Sequence, residues 1–226
     1  GASVPVLRLL ADDNADLRRL GQFVYDNVFL GYTRKQWGLR PEDLLPEVTE
    51  RVPVRVSRDN RYFTDAYQAM PAGGFTQMFQ RMLDHPLIEL ALKTEYANVA
   101  AEHRTARVVY TGAIDAYFRY ARGPLPYRSI RACREHRDIE WHQPVAVVNY
   151  PNDYDYTRVT EFKHLTAQRA PHTALMTEFP EPHVPGQNEP AYPIPRPENG
   201  PMYQQYAADA EKLRPPRPPQ RPRQRG

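Results

Sequence analysis

The chain has 226 residues, of which 41% are hydrophobic, 11% aromatic and 25% charged, with a mean hydropathy of −0.73. That is apolar enough for one core, or one and a part, and no run approaches the roughly 18 apolar residues that a membrane helix needs. The formal charge of +3 is a property of the chain's end, because Leu213 to Gly226 carries arginines and no acid while the body before it is close to neutral.

In chain order, VPVLRLL near the N-terminus is too short and too poorly flanked for a signal peptide, and the chain opens at Gly1 as an internal start would. Residues 12–30 read as a helix. Asp12, Asp13 or Asn14 can cap it, Leu17, Leu20, Val24 and Val28 form its apolar stripe, and Gly31 is a plausible stop. Pro41 and Pro46 each stand where a short helix begins. VPVRV (52–56) and RYFTDAYQAMP (61–71) are strand candidates. Gly73 and Gly74 open a helix with Phe75, Met78, Phe79 and Met82 on one side. IELALKTEY (88–96) and ARVVYTG (106–112) read as strands, and AIDAYFRYA after them as helical. RSIRACREHRDI, PVAVVNY, YTRVTEFKH and TALMTEF look like strands of an antiparallel sheet. The proline-rich run from Pro180 to Pro201 should be extended, since proline cannot donate to a ladder. A last helix spans 201–213, and the Pro/Arg tail cannot build a core. The fold class is α+β, with a mixed or antiparallel sheet and flanking helices.

Several chemistries lack their motifs. No two glycines stand as G-x-G, there is no G-K-[ST], and none of Ser3, Ser57 and Ser129 sits in G-x-S-x-G. Cys133 is alone and the histidines are scattered, so no zinc cage and no metal site is expected. Single-cysteine usage fits a reducing cytoplasm. Lysine stands at only four positions (35, 93, 163 and 212), so the chain's cations are nearly all arginine.

The arginines keep aromatic company. Arg51, Arg55, Arg58 and Arg61 lie near Tyr62 and Tyr67; Arg158 follows Tyr154 and Tyr156; Tyr32 and Trp37 lie in GYTRKQW. Guanidinium forks with phenol hydroxyls suit a diphosphate, and aromatic faces suit a base or a sugar. The plainer alternative is a sheet surface with Arg–Glu cross-strand pairs and tyrosines lining it. Composition alone favours the plainer one.

GYTRKQWGLRPEDL, RVPVR, DNRYFTDAYQAMPAGGFTQM, VVYTGAIDAYFRY, VNY, YTRVTEFKH and EPAYPI resemble, in this order and at similar spacing, the UDP-galactopyranose mutase family over about residues 20 to 210. The resemblance implies a fragment of an FAD-dependent mutase fold. It implies interconversion of UDP-galactopyranose and UDP-galactofuranose, with N5 of reduced FAD as nucleophile on the anomeric carbon and the protein holding the UDP. Arg51 and Arg158 would grip the diphosphate as the catalytic pair, helped by Tyr62 and Tyr192. Tyr32 and Thr33 would lie by the uridine, Trp37 near the sugar or diphosphate, and Asn149 along the pocket. Thr111, Gly112 and Arg128 would approach the FAD.

The family's opening G-x-G-x-x-G unit and its closing glycine- and tyrosine-rich segment have no counterpart here. Val28 and Ala191 replace usual aromatics, and the loop between Asn149 and Arg158 looks one residue short. The expectation is a chain that alone is inactive or weak, with non-catalytic UDP-sugar binding as the alternative. It would be a homo-oligomer or the partner of a complementing flavin-domain chain, with no specific nucleic acid and no membrane. Its regions would be a helical and substrate-loop part over 1–50, a sheet-containing nucleotide-sugar part over 51–212, and the tail over 213–226. A proline-rich tail can also serve as a ligand for an aromatic groove or as an anion-binding arm.

Overall fold

The structure is a computed structural model and describes residues 3–55, 57–58, 65–102 and 107–213. The expected segments at 56 and 61–64, with Arg61 and Tyr62, and the tail from 214 lie outside the described residues.

Strand β1 (Ser3–Val4) leads into helix α1 (Val6–Leu10), which packs against α2 (Ala15–Val24). The contact is close: a Cβ on Gly21 would sit 2.7 Å from Leu9 Cβ. Asn14 is the cap of α2, its side chain accepting from the N–H groups of Asp16 and Leu17. Gly31 does not stop this helix, as the sequence suggested. The rod continues through a π-helical turn (Tyr25–Leu30) into α3 (Gly31–Trp37), and Gly31 is helical at φ −66° and ψ −44°. The stop is Gly38 at φ 71°, whose N–H returns to Arg34 O. A wider turn re-aims the residues after it, and such turns gather at functional sites. Its first residue, Tyr25, is buried and donates to Glu42 Oε1 at 2.5 Å.

A 3-10 turn (Pro41–Asp43), α4 (Glu47–Glu50) and β2 (Val54–Arg55), antiparallel to β1, follow. Helix α5 (Gly74–Leu83) forms as the sequence pattern predicts, but its apolar side stays open: Phe75 and Phe79 are each 52% exposed. The runs 88–96 and 107–112 are not strands; the first ends where α6 (Tyr96–Val99) begins. Alternation alone does not make a strand, since its N–H and C=O groups need a neighbouring strand, and among the described residues none lies beside either run. Helix α7 (Ile114–Tyr117) is short, and its Asp115 carboxylate is buried accepting from Leu125 N–H.

The main sheet is antiparallel and follows the four predicted strands closely. It comprises β3 (Tyr127–Arg137), β4 (Val147–Asn149), β5 (Arg158–Glu161), β6 (Thr173–Pro182) and β7 (Tyr192–Pro193), in the order β4-β5-β6-β3-β7. Helix α8 (Lys163–Thr166) bridges β5 to β6, and α9 (Gly200–Lys212) closes the chain with Pro201 in its first turn. Tyr206 of α9 is fully buried, donating to Gly123 O and accepting from Arg122 N–H. The architecture is α+β. Among the described residues no helix is long and apolar enough to cross a membrane.

Candidate functional site

Strand register decides which side chains can meet. Directly paired residues, and residues two apart along a strand, share a face of the sheet. Tyr192 pairs with Arg128, and Arg128 shares a face with Ala132 along β3. Ala132 pairs with Glu178, Glu178 with Arg158, and Arg158 with Asn149. So Tyr192, Arg128, Glu178, Arg158 and Asn149 all stand on one face.

Helix α3 lies over that face, against β6. Arg128 ties it down, its Nε donating to Gln36 O at 2.9 Å and a terminal nitrogen to Lys35 O at 3.2 Å. These are last-turn carbonyls, where a cation is favoured. Trp37, at the end of α3, meets Tyr192 edge-on with ring centres 6.0 Å apart. Tyr32, one and a half turns earlier, is near enough to Arg158 to interact with its charge, as is Tyr192.

Arg158 is the centre of this group. Its Nε lies 2.8 Å from Glu178 Oε2 in an ion pair that departs from linear hydrogen-bond geometry. Burial works against its charge, but Tyr32, Glu178 and Tyr192 outweigh that and hold the guanidinium above its ordinary value. The Glu178 pair is the cross-strand arrangement of the plainer sequence reading. The surrounding phenols are what the diphosphate reading expects. Both are present at one side chain. An arginine fork has five donors, so a carboxylate along one edge leaves others for an anion.

The remaining candidates separate. Thr33 is buried (4% exposed), so it faces packing. Arg51 is exposed at the end of α4, and no contact joins it to Arg158, Tyr32 or Tyr192 among the described residues. Tyr62 lies outside the described residues. Thr111 and Gly112 are exposed, and the Tyr110 ring folds over Gly112, its hydroxyl 2.6 Å from where a Cβ would stand. Arg128 is committed to α3, and burial lowers its pKa against the raising effect of Glu181. Among the described residues no group of three or more His, Cys, Asp or Glu could hold a metal ion.

Two residues of the site escaped the sequence reading. Glu178 could have been found by counting parity along TALMTEF and YTRVTEF, which puts it opposite Arg158. Lys35 Nζ donates to the carbonyls of Tyr150 (2.6 Å), Asp153 (2.7 Å) and Tyr156 (3.2 Å), in the loop joining β4 to β5. The signal there was a lysine inside an aromatic motif, in a chain that otherwise uses arginine.

A family model described as UDP-galactopyranose mutase matches residues 27–215. The chain is 37% identical over 157 residues to a probable UDP-galactopyranose mutase of Klebsiella pneumoniae, covering 66% of this chain and 39% of that protein. It is 35% identical over 156 residues to a dTDP-fucopyranose mutase of Escherichia coli, covering 66% and 41%. It is 34% identical over 220 residues to the UDP-galactopyranose mutase of Mycoplasma genitalium, covering 89% and 54%. The chain therefore spans between about two fifths and about half the length of these curated relatives. With a family match over most of its length, the chain belongs to the UDP-galactopyranose mutase family.

Proposed function

We propose that this chain supplies the nucleotide-sugar-holding face of a UDP-galactopyranose mutase, with Arg158 as its diphosphate contact. The observation that carries the reading is the convergence of Arg158, Tyr32, Trp37 and Tyr192 from two strands and a helix onto one face. In this reading the guanidinium binds the diphosphate and stabilises its charge as UDP departs, while Tyr32 and Tyr192 donate to the same oxygens. Trp37 and Tyr192 present an aromatic corner to the sugar. Asn149 borders the cleft. Arg51, the second cation of the expected pair, stands apart from this group at the end of α4, so Arg158 carries the diphosphate contact in this reading. The helical part over 1–50 and the sheet part over 51–212 thus both contribute. No flavin-holding segment is needed for this binding step, which proceeds on residues described above.

Reduced FAD, the nucleophile in the family's chemistry, is not accommodated by the residues named for it. Thr111 and Gly112 are exposed beneath the Tyr110 ring, and Arg128 is engaged with the carbonyls of Lys35 and Gln36. These residues make no flavin site by themselves, and the chain alone is inactive or weak as a mutase. In a complete enzyme the flavin would be held largely by segments other than these, and the sugar turnover would take place in the cytoplasm. A second reading, non-catalytic UDP-sugar binding, is favoured by the same observation, because the nucleotide contacts lie within this chain. The E. coli relative's name adds a dTDP-linked sugar as a competing ligand.

Calorimetry with UDP, dTDP and each nucleotide sugar tests the binding, with Arg158→Ala as control. Loss of a charged hydrogen-bonded contact predicts a fall in affinity of about 30-fold. A wild-type chain that ignores UDP and dTDP alike sinks both readings. Incubation with dithionite-reduced FAD and UDP-galactofuranose tests the expected inactivity, since clear turnover to UDP-galactopyranose would overturn it.

A further inference from the structure

The loop joining β4 to β5, residues 150–157, is fastened to α3 in three places. Lys35 Nζ reaches the carbonyls of Tyr150, Asp153 and Tyr156. Gly31, one turn earlier on the same side of α3, lets the loop come close: a Cβ there would stand 2.3 Å from Pro151 O and 2.5 Å from Asn152 Oδ1. Asn152 Nδ2 donates back to Asn27 O in the π-helical turn at 3.2 Å. Within the loop, the stacked rings of Tyr154 and Tyr156 (5.0 Å, 5° apart) and the edge-on ring of Tyr150 hold its shape.

An ammonium has three donors, and Lys35 spends all of them on these carbonyls. It has no donor left for a phosphate, although it lies between the helix that carries Tyr32 and the hairpin that carries Asn149 and Arg158. Burial pulls its pKa down, opposed by Asp153 and Asp155.

We infer that Lys35 is a positioning residue, which fixes the separation of Tyr32 and Trp37 on α3 from Asn149 and Arg158 on the hairpin, and so sets how a nucleoside diphosphate is gripped at both ends. This rests on the nucleotide-binding reading above. A ligand that touches both elements gains from their being held in register, and one that touches a single element does not.

The test compares UDP with its halves. Wild type, Lys35→Met and Asn152→Ala are titrated with UDP by calorimetry and with uridine and inorganic pyrophosphate by ligand-observed NMR. Thermal melts report folding. Tyr206→Phe, which loosens α9 instead, is the control for general destabilisation. Lys35→Met is expected to lose about tenfold in UDP affinity while uridine and pyrophosphate each change less than about twofold. Asn152→Ala should show the same pattern more weakly, and it carries the test if Lys35→Met does not fold. Tyr206→Phe should melt earlier and bind UDP as wild type does. Equal UDP binding by wild type and the folded clamp variant overturns the inference alone. Equal losses for UDP and for each half also overturn it, since the lysine would then merely support the fold. A wild type blind to UDP overturns the nucleotide reading and this inference with it.

Discussion

Arg158 and Glu178 pair across β5 and β6 with Nε 2.8 Å from Oε2, and Glu178 is 9% exposed. Arg158 is therefore the counter-ion of a buried carboxylate as well as the diphosphate contact of the proposed reading. Its removal confounds binding with folding, because it strands Glu178. We expect Arg158→Ala to cost about 1–3 kcal/mol of stability from the unpaired carboxylate. Arg158→Ala with Glu178→Gln should recover most of that loss, because the remaining side chain is neutral. UDP binding should remain lost in the double variant. Urea unfolding and calorimetry on wild type, Arg158→Ala and the double variant check both halves; recovery of binding together with stability would remove Arg158 from the site.

Trp37 offers a second check. It meets Tyr192 at the edge of the candidate cleft, whereas Trp141 stacks on His164 and lies under the Lys163 ammonium at the other end of the sheet. These are the chain's two tryptophans. UDP should therefore perturb emission from one and spare the other. A titration followed by tryptophan fluorescence is expected to vanish in Trp37→Phe and to persist in Trp141→Phe. The reverse result would move the ligand away from α3.

The sheet was readable because its two main strands, β3 and β6, are 11 and 10 residues long and end at turn or proline residues, so β3, β5 and β6 fall where RSIRACREHR, YTRVTEF and TALMTEF place them. The alternating run at 88–96 and the short apolar run at 107–112 fail, because strand formation depends on a neighbour that a sequence pattern cannot supply. Gly31 was misread for a related reason. Its lack of a Cβ serves the approach of Pro151, a contact 120 residues away in sequence, and nothing local distinguishes that from a helix stop. The candidate arginine and tyrosines came from family resemblance, with parity along the strands then placing several on one face. Lysines 35 and 163 carried a local signal that went unused. Each sits where three carbonyls converge, a geometry that suits a compact ammonium better than a planar fork.

Glu161 should set the acid limit of the fold. Its side chain is fully buried and accepts from Thr173 Oγ1 at 2.7 Å and from the N–H groups of His142 and Gln143. Burial raises its pKa, but these donors and His164 outweigh it and leave the carboxyl below its usual range. A depressed folded value stabilises above the ordinary carboxylate range and is lost as pH falls through that value. Glu161→Gln, which turns an acceptor toward the same donors into an amide donor, is expected to cost about 3 kcal/mol at neutral pH. The gap between variant and wild type should close as pH drops below the carboxylate range. Denaturant unfolding from neutral to acid pH measures it, and a gap independent of pH would mean that the charge is immaterial.

Tyr25 should do the same at the alkaline end. The phenol at the start of the π-helical turn is pushed up to about 12, by burial first and then by its hydrogen bond and charge interaction with Glu42, with Arg40 opposing. A raised folded value means that the stabilisation is complete below the ordinary tyrosine value of 10.0 and fades as pH climbs from there through about 12. The shift corresponds to about 3 kcal/mol of preference for the protonated, hydrogen-bonded phenol. Tyr25→Phe cannot ionise and takes from the Glu42 carboxylate its shorter hydrogen bond, leaving Arg40 as its partner, so it should be less stable than wild type at pH 8. Wild type should then lose stability relative to Tyr25→Phe over the pH 10 to 12 interval, as its own phenolate forms beside Glu42. Paired unfolding curves at pH 8, 10 and 11.5 decide it: parallel pH profiles for the two proteins would show that Tyr25 does not govern the alkaline limit.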